Sequence, residues 1–314
     1  MKYYAVQFNI RCDSAVRQDA CDVLSAMVGE AGFESFEETE EGLTGYIQQQ
    51  LLNQESIDAV VEDFPFGSSA VTYTVSEAED RDWNEAWEQE GFDPIWVKAT
   101  TAKASDGFPA RIIVIHDGRH TEGIPADAAG TMGADAATGV IPIEIDAHQA
   151  FGTGTHETTR MVCSSLLSLD LSGCRVLDCG CGTGILGIVA LKLGAKAVVA
   201  YDIDEWSVDN TRHNSIINRV EERMEVMDGD ATLLNNDMGG MFDVVVANIN
   251  RNILLTDMPA MCRQLKDGGT LILSGFYTAD VAMLTGRAAE LSLSVVSVSE
   301  DQDWAMMMLR RASK

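Results

Sequence analysis

Strand-like alternation and helix-like spacing of apolar residues take turns in the first quarter of the chain. Tyr3 to Ile10 alternates in the manner of a half-buried strand, and Ser14 can cap a helix that runs to about Ala31. The segments that follow complete the order β-α-β-β-α-β within residues 1–78. That order predicts a small α+β, ferredoxin-like domain, whose role is either to bind a partner or purely structural.

Residues 146–314 have longer apolar segments separated by helical patterns, which predicts an α/β domain. Five strands alternate with helices and are apolar enough to be buried parallel strands. The last two strands are too close in sequence for a crossover helix, so they should pair as an antiparallel hairpin. The result is a seven-stranded, Rossmann-like sheet, a strand count that separates methyltransferases from ordinary dinucleotide-binding folds. The predicted strands are Arg175 to Asp178, Ala197 to Asp202, Met224 to Met227, Phe242 to Ala247, Thr270 to Ser274, Leu293 to Val298 and Trp304 to Leu309.

The connector between these domains, residues 79–145, has a weak pattern. Ile95 to Val97 and Arg111 to Ile115 favour short strands. Asp127 to Gly139 is rich in Ala and Gly and indicates no particular element. We assign no function to the connector.

The charge of the chain restricts its partners. Lys and Arg number 22 against 49 Asp and Glu, which gives a net charge of −27. Such a surface repels phosphate backbones, so direct binding of DNA or RNA is not expected. It would attract a basic partner, although acidic charge that only maintains solubility explains the composition equally well. The first 80 residues hold three basic and sixteen acidic side chains, so the N-terminal domain carries much of the charge.

Other features of composition indicate a cytoplasmic protein. No stretch of 18 apolar residues occurs, so no membrane span is expected. The first ten residues have the pattern of a strand and not of a signal peptide. The seven cysteines are irregularly spaced and include no CxxC pair, which favours reduced thiols over disulfides. We expect a cytoplasmic monomer.

A glycine-rich turn directly follows the first strand of the α/β domain. Gly180, Gly182 and Gly184 alternate there, and glycine lets the backbone approach a ligand closely. Gly182, Gly184 and Gly187 also spell the GxGxxG pattern of nicotinamide and flavin enzymes, so that class stays open. Asp178 precedes the glycines, where it could pair with a cationic amine and would repel a pyrophosphate. A tight turn without a ligand is the remaining alternative.

Two further carboxylates follow strands of the same domain. Asp202 ends the second strand, where it could accept both ribose hydroxyls of an adenosine, a feature that methyltransferases share with dehydrogenases. A helix-cap role is the alternative for Asp202, but it suits Asp204 better. Asp230 follows the third strand and could hydrogen-bond the adenine amine; a surface turn explains it equally well.

Asn248 follows the fourth strand, where the reacting groups should meet. Its amide offers both an acceptor and a donor. In a methyltransferase it could orient an incoming amine toward the methyl group that is transferred. We therefore predict a catalytic role for Asn248, with a helix N-cap as the alternative.

Residues 151–160, FGTGTHETTR, open a helix before the first strand. Glycines, threonines and a helix start favour backbone contact with a polar ligand, and a capped surface helix is the alternative. His156 has no partner His or Cys at metal spacing, so we expect no metal.

Together these motifs resemble the bacterial methyltransferases that modify the eleventh protein of the large ribosomal subunit. The resemblance implies contacts to the cofactor from Phe151, Thr159, Gly180, Asp202 and Asn248, and an N-terminal domain that grips the ribosomal protein. It extends over residues 80–312 through DWNEAW (82–87), FGTGTHETTR (151–160), VLDCGCGTGIL (176–186), YDID (201–204), VVVANI (244–249), GGTLILSG (268–275) and the tail from Asp303 to Arg311.

Two positions depart from that family's pattern. Glu157 stands where many members have proline, and Asn250 stands where an aliphatic residue is commoner. The change at Asn250 lies near the expected substrate.

The expected reaction is methyl transfer from S-adenosylmethionine to lysine ε-amines, to the N-terminal amine of the ribosomal protein, or to both. No dedicated general base is evident. Three other functions stay open: a methyltransferase of the same fold acting on another protein or small molecule, a dinucleotide-dependent oxidoreductase, and a non-catalytic adaptor that holds a basic partner.

Overall fold

The chain divides into two compact units, Met1–Asp82 and Trp83–Lys314, in a computed structural model. The structure describes residues 3–12, 17–33, 35–39, 41–49, 51–62, 64–65, 71–77, 91–99, 111–125, 139–147, 152–236, 238 and 241–313. The predicted helix cap Ser14 lies outside these ranges.

The first unit is a four-stranded antiparallel sheet with two helices. Its elements are β1 (Tyr3–Ile10), α1 (Arg17–Glu30), β2 (Ser35–Thr39), β3 (Gly42–Gln48), α2 (Gln54–Glu62) and β4 (Val71–Glu77). The strands lie in the order β2-β3-β1-β4. Phe8 of β1 is fully buried, and its ring lies 5.8 Å from Phe33 and 5.9 Å from Tyr73 between centroids. Phe33 follows α1 and is held there by its N–H, which donates to the Val28 carbonyl.

The second unit begins with a three-stranded sheet of β5 (Ile95–Lys98), β6 (Ile112–His116) and β7 (Val140–Glu144). β5 pairs antiparallel with β6, and β7 pairs parallel with β6. The sequence did not predict β7, because Pro142 interrupts a short apolar run and argues against a strand. β7 lies at the edge of its sheet, where a residue without an N–H is tolerated.

The rest of the second unit is a seven-stranded mixed sheet with helices. The strands are β8 (Arg175–Cys179), β9 (Ala197–Asp202), β10 (Met224–Asp228), β11 (Phe242–Asn248), β12 (Leu265–Tyr277), β13 (Leu293–Asp301) and β14 (Trp304–Arg311). The helices are α3 (Glu157–Leu167), α4 (Ile185–Lys192), α5 (Glu205–Ile217), α6 (Arg251–Gln264) and α7 (Val281–Glu290), with short 3-10 turns at Glu221–Arg223, Ala231–Asn235 and Thr278–Asp280.

The strand order, β10-β9-β8-β11-β12-β14-β13, confirms the predicted Rossmann-like sheet. The first five strands are parallel, and β14 runs antiparallel to both β12 and β13, so the predicted terminal hairpin is correct. β8 lies between β9 and β11, so the winding direction reverses there. Ligands of such sheets bind outside the carboxyl ends of the strands at this switch point.

Two apolar clusters cover the two faces of the large sheet. α4 contributes to one of them with every residue from Ile185 to Leu191 buried, which matches its almost wholly apolar sequence. Among the residues that the structure describes, no helix combines the length and apolar character needed to cross a membrane.

Candidate functional site

The glycine turn after β8 has a backbone that only glycine adopts without strain. Gly180, Gly182 and Gly184 have φ of 71°, 54° and 81°, in the left-handed region. The Gly180 N–H donates to the Tyr201 carbonyl at 2.9 Å, which ties the turn to β9. A Cβ on Gly180 would lie 2.5 Å from Ile249 Cγ2, so the turn also packs against the segment after β11.

Asp178 lies fully buried at the base of this turn. Its Oδ2 accepts the Gly187 N–H of α4 at 2.9 Å, while its Oδ1 is buried without a hydrogen-bond partner among the described residues. Burial raises the pKa of Asp178 to about 7, although the bond from Gly187 opposes the rise. The carboxyl group therefore has an unused acceptor that a cationic donor would satisfy.

Asp202 joins the end of β9 to the glycine turn. Its Oδ2 accepts the Gly182 N–H at 2.9 Å and its Oδ1 accepts the Asp204 N–H at 3.1 Å. Burial raises the pKa of Asp202, and these backbone bonds oppose that rise. Asp204 caps α5 by accepting the Ser207 N–H, so the helix-cap role belongs to Asp204, as predicted. Each Asp202 oxygen retains a lone pair for a further donor.

Asn248 ends β11, beside the strand that carries Asp178. Its Nδ2 donates to the hydroxyl of Thr159 at 3.5 Å, and its Oδ1 is buried without a partner among the described residues. The alternative of a helix cap is wrong for Asn248, because Asn250 caps α6 by accepting the Ile253 N–H at 3.1 Å. The departure from the family pattern at Asn250 therefore stabilises a helix start.

His156 and two aromatic residues form a cluster that the sequence analysis missed. His156 caps α3 by accepting the Thr158 N–H, and its ring meets Trp304 edge-on, 4.8 Å between centroids. Trp304 stacks on Tyr277 at 4.4 Å, and Tyr277 is half exposed. The sequence predicts for Trp304 only that it starts the last strand. Because β14 runs antiparallel to β12, its first residue lies beside the carboxyl end of β12.

One turn of α3 connects this aromatic cluster to Asn248. Thr159 contacts Asn248, and His156, three residues earlier, contacts Trp304. Residues three apart share a helix face. The first turn of α3 therefore lines one continuous edge of the site.

Arg160 fixes the start of α3. Its guanidinium donates to the Thr155 carbonyl, to Glu157 at 3.1 Å and to Asp301 at 3.4 Å. The pKa of Glu157 is lowered by a hydrogen bond from its own backbone N–H and by Arg160. Glu157, the other departure from the family pattern, thus gains an ionic partner within its own helix.

One predicted cofactor contact, Asp230, has a capping role in this structure. Asp230 is exposed and caps the short turn Ala231–Asn235, its Oδ1 accepting the Thr232 N–H at 2.8 Å. This geometry is the surface turn that was the alternative, and the contact with adenine stays a prediction. Phe151 lies outside the described residues, as does the DWNEAW segment (82–87).

The donor and acceptor chemistry of the site fits S-adenosylmethionine. Asp178 and Asn248 lie on adjacent strands, since Asp178 pairs in register with Val246. Each has a buried oxygen that lacks a donor among the described residues, and an amine or sulfonium brings positive charge to such oxygens. A pyrophosphate would instead bring negative charge to Asp178. Within the described ranges, no three His, Cys, Asp or Glu side chains are grouped as metal ligands would be.

The family model and the full-length relatives name the same family. The family model described as ribosomal protein L11 methyltransferase (PrmA) matches residues 130–312. A ribosomal protein L11 methyltransferase from Bacteroides fragilis is 41% identical over 97% of this chain and 98% of its own length. One from Porphyromonas gingivalis is 41% identical over 98% of this chain and 97% of its own length. A solved ribosomal protein L11 methylase from Lactobacillus delbrueckii is 30% identical, with a TM-score of 0.49, covering 55% of this chain and 86% of that one.

Proposed function

Since the chain belongs to the ribosomal protein L11 methyltransferase family, we propose that it methylates ribosomal protein L11 with S-adenosylmethionine as methyl donor. The proposed acceptors are lysine ε-amines, the N-terminal amine, or both. The observation that carries the proposal is the identity of about 40% to relatives over nearly the whole of both chains. The match includes the N-terminal unit, where a substrate-binding role is expected.

The residues at the carboxyl ends of β8, β9 and β11 are suited to hold the cofactor. Bound S-adenosylmethionine supplies a methyl group that its sulfonium already activates. The unpartnered oxygen of Asp178 can accept from the amine of its methionine part, and Asp202 can accept from the ribose hydroxyls. The left-handed glycines allow the backbone to lie close to the ligand.

On the acceptor side, we assign to Asn248 and the aromatic cluster the role of positioning the amine. The free carbonyl oxygen of Asn248 can accept a hydrogen bond from the amine and direct its lone pair toward the methyl group. The faces of Trp304 and Tyr277 attract cations and the apolar stem of a lysine. Holding nucleophile and methyl in line can contribute about 7–11 kcal/mol to lowering the barrier.

The lysine amine must lose a proton before it attacks. Its ordinary pKa is about 10.4, so most of it is charged near neutral pH. Removal of the amine from water lowers that pKa, because burial disfavours the charged form. We assign no side chain as a dedicated base.

We further assign the N-terminal unit to the ferredoxin-like class and propose that it binds the ribosomal protein. The strand order β2-β3-β1-β4, with two helices between strands, supports the assignment. Sixteen acidic residues against three basic ones in the first 80 positions suit a basic protein partner. We also propose that the protein acts as a cytoplasmic monomer and does not bind nucleic acid directly.

The test is a labelled-methyl transfer assay on ribosomal proteins from cells that lack this enzyme, with intact mass as the readout. We expect one large-subunit protein to gain one or more methyl masses. Tight binding of S-adenosylmethionine without transfer would support the cofactor assignment and indicate that the substrate is another protein or a small molecule. If the protein neither binds S-adenosylmethionine nor transfers a methyl group, the proposal is refuted. Fluorescence of a bound reduced nicotinamide would then support an oxidoreductase.

A further inference from the structure

Helix α5 and its C-terminal cap residue carry three asparagines at intervals of four residues, and all three are buried. They are Asn210, Asn214 and Asn218, and they lie on one face of the helix. Burying an amide side chain is unfavourable unless its donor and acceptor are both used. In all three residues the amide donates to a backbone carbonyl or accepts a backbone N–H from another part of the second unit.

The side chains of the outer two asparagines bond to the end of β7 or to the residues just after it, and also to Asn214: Asn210 Oδ1 accepts from Asn214 Nδ2 at 3.3 Å, and Asn218 Nδ2 donates to the Asn214 carbonyl at 2.9 Å. Asn210 Nδ2 donates to the Asp146 carbonyl at 2.8 Å. Asn218 Oδ1 accepts the Glu144 N–H at 3.1 Å, and its Nδ2 donates to the Glu144 carbonyl at 2.7 Å. These bonds attach the extended chain 144–146 to α5.

Asn214 differs because it contacts two segments at once. Its Oδ1 accepts the Asp146 N–H at 3.0 Å, and its Nδ2 donates to the Thr183 carbonyl of the glycine turn at 2.9 Å. The Thr183 hydroxyl then donates to the Gly152 carbonyl at 2.7 Å. Asn214 and Thr183 are both fully inaccessible to solvent. The glycine turn and both ends of the segment leading to α3 are therefore joined by one hydrogen-bond chain.

We propose that Asn214 is a positioning residue that sets the glycine turn and Gly152 of the FGTGTH segment relative to each other. The inference rests on the proposed function, because these two segments carry the expected cofactor contacts. The role requires an amide: a leucine neither donates nor accepts, and an ionised aspartate would face the Thr183 carbonyl with no proton to give. A shift of about 1 Å in a binding loop can weaken its contacts with the ligand while the protein stays folded.

The test compares Asn214→Leu with Asn218→Leu in the full-length protein. Asn218 lies on the same helix face and makes a similar set of buried bonds, none of which, among the described residues, reaches the glycine turn. Its replacement also removes its bond to the Asn214 backbone carbonyl, but it leaves the Asn214 side-chain amide in place. We expect both variants to lower the melting temperature. Only Asn214→Leu should weaken binding of S-adenosylmethionine, by at least tenfold, in calorimetry below the melting transition of each variant. In the cofactor-free protein, only Asn214→Leu should speed hydrogen exchange at the amides of residues 181–184.

A second pair keeps the test decisive if Asn214→Leu does not fold. Thr183→Val removes the hydroxyl that holds Gly152, and Thr183→Ser keeps it. We expect Thr183→Val to weaken cofactor binding at least fivefold, whereas the affinity of Thr183→Ser should stay within twofold of wild type. Equal cofactor affinity in the Asn214 and Asn218 variants would overturn the inference, as would equal affinity in the two Thr183 variants. If wild-type protein itself bound no S-adenosylmethionine, the proposed function would fail, and the hydrogen-exchange comparison would still decide the role of Asn214.

Discussion

The two units bury different chemistry. Among the described residues, every polar or charged residue that is buried as a whole belongs to the second unit, while the buried core of the first consists of apolar residues such as Phe8, Leu24 and Ile57. In the first unit, buried side-chain polar atoms without a partner among the described residues occur only on the partly exposed Asn9 and Thr39. In the second unit the buried polar residues gather on α3, on α5 and around the glycine turn, where Asp178, Thr183 and Asn214 lie.

This difference indicates in which unit the exact position of the loops is fixed. An apolar core is non-directional, so it stabilises a fold without fixing any one loop in one place. A buried hydrogen bond has a required distance and angle, and leaving it unmade costs about 1–3 kcal/mol. The second unit therefore fixes its loops by geometry, as a reaction site requires, whereas the first needs only a stable surface for its acidic side chains.

The largest expected effect is a loss of stability, and we expect it to be confined to the first unit. Phe8→Ala removes a fully buried ring, which costs about 3–5 kcal/mol, enough to unfold a small unit. We expect loss of methyl transfer to the ribosomal protein with unchanged affinity for S-adenosylmethionine, measured by calorimetry. Phe242→Ala is the matched control, since Phe242 is equally buried but begins the strand that ends at Asn248. Loss of cofactor binding in Phe8→Ala would show that the units do not fold independently.

Next in size is the effect of removing Asn248. Asn248→Ala deletes the oxygen proposed to orient the amine, and we expect kcat to fall about 100-fold, as for a misplaced reacting group. Asn250→Ala is the control, because it removes only the cap of α6 and should cost about 1 kcal/mol of stability without lowering kcat. Single-turnover methyl transfer measures the difference. Full activity in Asn248→Ala would exclude the orienting role.

Asp178 gives a pH-dependent comparison between fold and site. Its pKa of about 7 in the folded protein is above the unfolded value of about 3.9, so its contribution to stability falls as pH rises from about 4 to 7. Asp178→Asn removes that loss, and we expect the cofactor-free variant to be more stable than wild type at pH 8 and no more stable at pH 4.

The same substitution should weaken the site. A hydrogen bond to a charged group contributes about 1.5–3 kcal/mol, so we expect the affinity of Asp178→Asn for S-adenosylmethionine to fall about 10- to 100-fold. Thermal unfolding at both pH values and calorimetry at pH 8 measure the two effects. An unchanged affinity would mean that Asp178 only supports α4 through Gly187.

The smallest expected effect concerns the acidic surface of the first unit. The double change Glu41→Lys and Glu62→Lys should lower kcat/KM for the ribosomal protein roughly threefold to tenfold at low salt, and less at high salt, because it weakens long-range attraction. Glu221→Lys with Glu222→Lys shifts the net charge equally in the second unit, where both side chains are also exposed. Equal effects from the two pairs would show that total charge matters and not its location.

Local patterns determined much of this molecule. The alternation of apolar segments predicted six strands of the seven-stranded sheet to within three residues at each end, because burial on a strand or helix imposes a short period on the sequence. The other strand, β12, begins five residues earlier than predicted. Glycine spacing located the left-handed turn, and the cap at Asp204 followed from its position before a helix. The family resemblance placed Thr159 and Asn248 in one site, and the two side chains are in contact.

Only the tertiary structure decided which distant groups meet. Asn214 and Asp146 are 68 residues apart, Asn248 and Thr159 are 89 apart, and neither contact has a local pattern. Trp304 joined the site because β14 is inserted antiparallel next to β12, and β7 formed despite Pro142 because it lies at a sheet edge. Hydrophobic periodicity depends on near neighbours in the chain, whereas these hydrogen bonds and ring contacts depend on strand order, which no short segment encodes.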